Sequence, residues 1–301
     1  MDKAFWQSIK GNAYTAQQGY TTANLTAELL ACLSSPDPEM REELAYPILD
    51  TWIHSGAYSH QELWDIATRL LNNLTQGLGE QRRDGIFGRS FSLLILTEII
   101  YHDLTQPTLS ASEVQQVLGQ ALSYVEAEQD LRGYDVQKGW IHAIAHAADL
   151  LWVIAQHPTV TAPDLARIMD TVAKKIAAPV EQVYLYDEEE RLVRTIMGVL
   201  QRDVLTLPFL SAWLELRIHP EGRTGWNESF EGPESGKMME VVRSHTETCA
   251  RHNVKSFLRS LYFQLRSPGF ANLTFVEQQP PITAEFLPLV EHALSQIRLW
   301  C

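Results

Sequence analysis

The sequence predicts an all-α protein, and more narrowly an α-α superhelix of HEAT or armadillo type with about five or six helical hairpins. Three observations carry that expectation. Apolar residues recur at helical spacing along most of the chain, and turns rich in Pro, Gly and Asp separate the periodic segments. An acid followed by a base stands near the start of successive segments: Asp37 and Arg41, Asp84 and Arg89, Asp135 and Lys138, Asp187 and Arg191. Their acidic members lie roughly 50 residues apart, the scale of a helical-hairpin repeat. In such repeats an acid and a base near the second helix bond neighbouring units in a ladder, which these pairs are expected to do.

The elements follow in order. Leu25, Leu29, Leu30 and Leu33 share one helical face, and Ser34-Ser35-Pro36-Asp37-Pro38 ends it, with Asp37 placed to accept a backbone N–H. The next helix runs through Leu44, Ile48 and Trp52. A second pair spans 61–74 and 87–101 around a Gly-bearing turn. A third spans 112–128 and 138–156 around Arg132-Gly133-Tyr134-Asp135, and a fourth 162–178 and 189–205. A helix near 208–217 precedes a Gly-, Pro- and acid-rich loop over 219–235, in which Trp226 is expected to anchor a lid. Helices then resume over 237–251, 254–265 and 283–300, and 271–276 is the strand candidate. The whole chain, 1–301, reads as a single solenoid domain.

Composition narrows the function. The 301 residues carry a formal net charge of −13, which repels phosphate backbones and disfavours nucleic acid as a partner. Cys32, Cys249 and Cys301 are odd in number and far apart, so neither a disulfide framework nor a zinc ribbon is indicated. The start Met1-Asp2-Lys3-Ala4-Phe5-Trp6 is wrong for a signal peptide. The apolar run Phe91–Ile100 is broken by Ser92, Thr97 and Glu98 and is too short for a bilayer. These features point to a cytoplasmic protein without a membrane segment.

The chemistry-bearing stretch is Arg132–Asp149. On a helix over 138–156, His142, His146 and Asp149 fall on one stripe opposite a wide apolar arc. Two imidazoles and a carboxylate form a partial ligand set for a divalent metal, or a proton-handling pair with an orienting acid. The same trio can simply hydrogen-bond to the next repeat. Tyr134 and Trp140 offer an aromatic wall. The acids Asp187 to Glu190 suit a helix N-terminus, and Glu188 or Glu190 is the carboxylate expected nearest His142. Arg89 pairs with Asp84 in the ladder or clamps an anion, while Arg259 and Tyr262 suit a groove wall. Phosphate-loop, zincin, serine-elbow and dinucleotide-fingerprint patterns are missing from the sequence.

Leu-Ser-Ser-Pro-Asp-Pro-Glu-Met-Arg (33–41), Phe-x-Arg-Ser-Phe-Ser (87–92), Arg-Gly-Tyr…Gly-Trp-x-His-x-x-x-His-x-x-Asp (132–149), Asp-Glu-Glu-Glu-Arg-Leu (187–192) and Phe-Leu-Arg-Ser-Leu-Tyr (257–262) occur in that order. Together they resemble a bacterial family known as domain-of-unknown-function family 2785. The resemblance reaches to about Leu265, with the His-bearing motif as its most specific part. It implies a bacterial helical protein and supplies no catalytic residues.

The expected function is a binding or scaffold protein whose polar groove takes a peptide, a protein or a small polar ligand. The alternative is a hydrolase, metal-dependent or not, working through His142, His146 and Asp149. Arg89, Tyr134, Trp140, His142, His146, Asp149, Glu188, Glu190, Arg259 and Tyr262 are the groove candidates.

Overall fold

The computed structural model describes residues 1–218, 245–267 and 279–297. The loop over 219–235 with Trp226, the strand candidate 271–276 and Cys301 lie outside them. The chain divides into two compact units, Met1–Thr159 and Val160–Cys301.

The first unit holds α1 (Lys3–Gly11), α2 (Thr22–Cys32), a π-helical segment (Glu39–Ala45) that runs directly into α3 (Tyr46–His54), α4 (His60–Asn73), α5 (Gly85–Thr105), α6 (Ala111–Ala127) and α7 (Ala143–Gln156). The all-α expectation holds. Ser59 with Glu62 and Ser110 with Glu113 form reciprocal capping boxes that start α4 and α6. α1, absent from the sequence reading, is started by Asp2, whose carboxylate accepts the Phe5 N–H at 3.0 Å. The π-helical turn has a local cause. Pro47 cannot donate to the carbonyl of Glu43 four residues back, so the ladder widens there, and Lys10 Nζ donates to that carbonyl at 2.9 Å instead.

α5 is apolar around nearly its whole circumference, as a helix enclosed by neighbours must be, and it packs on α3, α4, α6 and most extensively α7. Buried charge ties these helices together, but not in the pairs the ladder predicts. Arg89 bonds Glu128 rather than Asp84, with Nε to Oε2 at 2.7 Å and Nη2 to Oε1 at 3.2 Å. Asp84 bonds Lys138 at 2.6 Å, and Asp37 bonds Lys3 at 2.5 Å. Arg41 is 0% exposed, with its guanidinium 4.1 Å from the Phe87 ring centroid and 4.8 Å from that of Phe91. It donates to the carbonyls of Ser35 and Lys138, each at 2.6 Å, and of Trp140 at 3.1 Å. The charged residues do bridge distant segments. Spacing alone mispairs them because the true partners come from α1 and from turns, which the repeat pattern does not register.

The helix expected over 138–156 begins only at Ala143. Before it stands a short antiparallel hairpin, β1 (Tyr134–Asp135) and β2 (Gly139–Trp140), pairing Tyr134 with Trp140 and Asp135 with Gly139. The turn is written locally: the Asp135 carboxylate accepts the N–H groups of Gln137 (2.9 Å) and Lys138 (3.0 Å), and Gly139 takes φ +78°. A Cβ at Gly139 would stand 2.5 Å from Glu42 Oε1 and 2.8 Å from Pro38 Cβ. Gly139→Ala should therefore destabilise by about 2 kcal/mol, from a left-handed backbone and a clash together. Chemical denaturation checks this, and a change below about 0.5 kcal/mol would show that the turn tolerates a side chain.

The second unit holds α8 (Ala162–Ala177), α9 (Glu188–Gln201), α10 (Leu207–Ile218), α11 (His245–Arg266) and α12 (Thr283–Gln296). α11 packs on α8, α9 and α12, and α10 on α8 and α12. Over its described length α11 is continuous, without the break expected between 251 and 254. Buried Asn253 there accepts the Tyr184 N–H at 3.0 Å and donates to the Gln182 carbonyl at 3.3 Å, pinning the segment that enters α9. No described helix is long and apolar enough to cross a membrane.

Candidate functional site

Residues four apart share a helix face, so Tyr46, Asp50 and His54 line one stripe of α3, and Glu98 and His102 one stripe of α5. The packing of α3 on α5 brings these stripes together. Tyr46 Oη donates to Glu98 Oε1 at 3.1 Å. His54 Nε2 lies 2.9 Å from Glu98 Oε2 and 3.3 Å from Asp50 Oδ1. One ligand atom from each of Asp50, His54 and Glu98 falls within 4.8 Å of the others. All three side chains are half-buried, and the His102 ring stands 5.9 Å from that of His54 while only 4% exposed.

The electrostatics follow from that burial. Loss of water pushes the carboxyls of Asp50 and Glu98 above the usual carboxylate range, the more so for Glu98 because Asp50 is beside it; His54 opposes the shift at both. Burial, then the Glu98, Asp50 and Asp149 charges, raise the Tyr46 phenol well beyond its ordinary range. Burial and the His54 charge lower the His102 imidazole, which favours its neutral form.

Two other buried carboxylates in this unit, Glu128 and Asp103, are neutralised in ways that serve the fold. Glu128 meets the Arg89 guanidinium and also accepts the Gln129 and Asp130 N–H groups at 3.0 Å. Asp103 accepts the N–H groups of Thr108 (2.5 Å) and Leu109 (2.6 Å), clamping the turn between α5 and α6, and lies 2.9 Å from His157 Nε2. Burial pushes Asp103 up, but those donors outweigh it and hold the carboxyl below its usual range. Asp50 and Glu98 differ. Among the described residues they meet no lysine or arginine, and their ion-pair partner is His54.

The histidine motif is arranged otherwise than its spacing suggests. His142 lies outside α7 as its N-cap, at φ +46°, because the Gly133 carbonyl takes the Ile141 and His142 N–H groups at 2.8 and 3.0 Å and holds the chain out of helix. Its ring stacks 4.3 Å from Trp140, which in turn meets Tyr134 at 4.9 Å, and it stands 5.7 Å from His146. His146 Nδ1 lies 2.9 Å from Ser90 Oγ, whose hydroxyl also donates to the Ile141 carbonyl. Ser90 is 0% exposed, so this Ser–His contact fastens α7 to α5 and offers no accessible nucleophile. Asp149, one turn along α7, comes close enough to raise the Tyr46 phenol. α7 is buried from Ala143 to Ala155, as its wide apolar arc leads one to expect, and His146 and Asp149 are buried with it.

The remaining candidates disperse. Arg89 is 1% exposed and committed to Glu128. Glu188, Glu190, Arg259 and Tyr262 belong to the second unit. There Glu188 is buried and accepts the Leu185 and Tyr186 N–H groups at 3.2 and 2.8 Å, as an acid at a helix start does. Glu190 and Arg259 are exposed, and Tyr262 accepts from Arg266 across one turn of α11. Cys249 is buried and its thiol pushed up, which does not favour a thiolate. Sequence reasoning missed Tyr46, Asp50, His54, Glu98 and His102. The signal was present as polar residues at i, i+4 and i+8 on α3 and at i, i+4 on α5, but Glu98 read as an interruption of an apolar run.

Residues 74–263 match the family described as protein of unknown function (DUF2785). The chain belongs to that family. The DUF2785 match takes in α5 with Glu98 and His102, the hairpin and α7; it leaves out α3 with Tyr46, Asp50 and His54. No curated protein and no solved structure matches the chain.

Proposed function

We propose that this DUF2785 member is a binding protein that seats a small polar ligand carrying positive charge between α3 and α5, against Tyr46, Asp50, His54 and Glu98. The supporting observation is an acid pair that meets one histidine and, among the described residues, no lysine or arginine. Two carboxylates drawn together in a half-buried cleft repel each other, and the fold elsewhere meets that need with arginine or backbone N–H groups. A cationic ligand would relieve the repulsion, and the net charge of −13 draws cations toward the protein at long range. HEAT-like hairpins are the scaffold of this reading. A lysine side chain or terminal amine of a peptide belongs to the same ligand class.

Thermal unfolding with a diamine, a guanidinium compound, a lysine-bearing peptide and divalent metal ions tests the proposal. At least one of these should raise the wild-type midpoint, by an amount equivalent to about 2.7 kcal/mol at a hundredfold excess over Kd. The Asp50→Asn/Glu98→Gln variant should not respond. Equal shifts in both proteins, or no shift with any probe, would refute it. The hydrolase reading draws its support from Asp149, whose charge acts on the Tyr46 phenol. A ligand response lost in His142→Ala/His146→Ala but kept in Asp50→Asn/Glu98→Gln would transfer the site to those histidines.

A further inference from the structure

Resting on that reading of the cleft, we propose that its cation is a divalent first-row transition-metal ion ligated by Asp50, His54 and Glu98. The distances suit such an ion. Ligand bonds of about 2.0–2.2 Å in a tetrahedral arrangement put neighbouring donor atoms about 3.3–3.6 Å apart. His54 Nε2 already lies 3.3 Å from Asp50 Oδ1 and 2.9 Å from Glu98 Oε2. The three donors all fall within 4.8 Å of one another, so the two carboxylate oxygens draw together by at most about 1.2 Å to reach tetrahedral spacing.

A second imidazole lies at the same place. His102 is 4% exposed and stands beside the cluster on α5. Its one ring contact is the edge-on approach to His54. The arrangement is also repeated: Asp50-x-x-x-His54 on α3 faces Glu98-x-x-x-His102 on α5, so each helix offers a carboxylate and an imidazole one turn apart. Tyr46 donates to Glu98 Oε1 and leaves Oε2 toward His54, which orients the carboxylate as outer hydrogen bonds do at metal centres.

The donor chemistry selects the ion class. Two carboxylates and one imidazole suit zinc, manganese or ferrous iron, whereas a copper(I) site wants sulfur. Calcium wants six or more oxygens, more than this cleft supplies. Three protein ligands with a further position open is the composition of a centre that also takes a water or a substrate atom.

The test uses the full chain with any affinity tag removed, stripped with chelator and dialysed against zinc or manganese. Elemental analysis should find about one ion per chain, matching the single three-donor cluster among the described residues. Binding should weaken by on the order of 100-fold or more in Asp50→Asn/Glu98→Gln and in His54→Gln, with circular dichroism confirming that each variant is folded. The His142→Ala/His146→Ala variant should keep its metal. Absence of metal from the wild type, or undiminished binding in folded Asp50→Asn/Glu98→Gln, would overturn the assignment. If metal fails while an amine or guanidinium probe still binds through Asp50 and Glu98, this inference falls and the broader cation reading stands. If every probe fails, both fall.

Discussion

Arg41→Ala should lower the free energy of unfolding by about 4 kcal/mol, since a buried cation bonded to several acceptors leaves them bare when removed. The Ser35, Lys138 and Trp140 carbonyls would lose their donor, and the Phe87 and Phe91 rings would lose the guanidinium packed over them. Arg41 joins the start of the π-helical segment to a hairpin nearly a hundred residues later. The hairpin should therefore loosen before the helices melt. Hydrogen exchange should show Ile141 and His142, whose N–H groups bond the Gly133 carbonyl, losing protection first. A drop under about 1 kcal/mol, with the hairpin still protected, would mean that Asp84–Lys138 and Glu42–Trp140 hold it without Arg41.

Glu128→Gln should cost about 3 kcal/mol. The substitution keeps volume and hydrogen-bonding reach but leaves the Arg89 guanidinium, 1% exposed, without its counter-charge. Urea unfolding measures it directly. Lys138 and Asp84, an exposed pair, should by contrast contribute under about 1 kcal/mol. A Glu128→Gln cost no larger than that would show the buried pair to be dispensable.

The helices were legible because their causes are local. Period, caps and breakers lie within a few residues of each boundary, and Gln61–Leu74, Ser112–Glu128 and Ala162–Ala178 fall within a residue of the observed elements. The hairpin was harder to see. Its strands are too short to alternate, and its signal is an Asp–x–x–x–Gly turn, which read as the approach to a helix. That misreading put His142 on a face it does not occupy. Charge pairing was legible only as composition: Asp37, Asp84 and Arg89 do bridge segments, but which acid meets which base is decided by turns brought together through α5. The α3–α5 cleft stayed hidden for the same reason. Asp50-x-x-x-His54 and Glu98-x-x-x-His102 lie far apart in sequence and meet only through the packing of two helices, which no local spacing records.

The central claim is that Asp50 and Glu98 are kept close for a ligand and not for the fold. Its most direct test is the unfolding of chelator-treated Glu98→Gln beside wild type and Glu128→Gln. Glutamine at 98 can still accept from Tyr46 and meet His54, while one of the two crowded negative charges is gone. A site held for function should lose no stability by this change, and the midpoint should stay level or rise. A fall as large as that of Glu128→Gln would place Glu98 among the structural ion pairs and contradict the account.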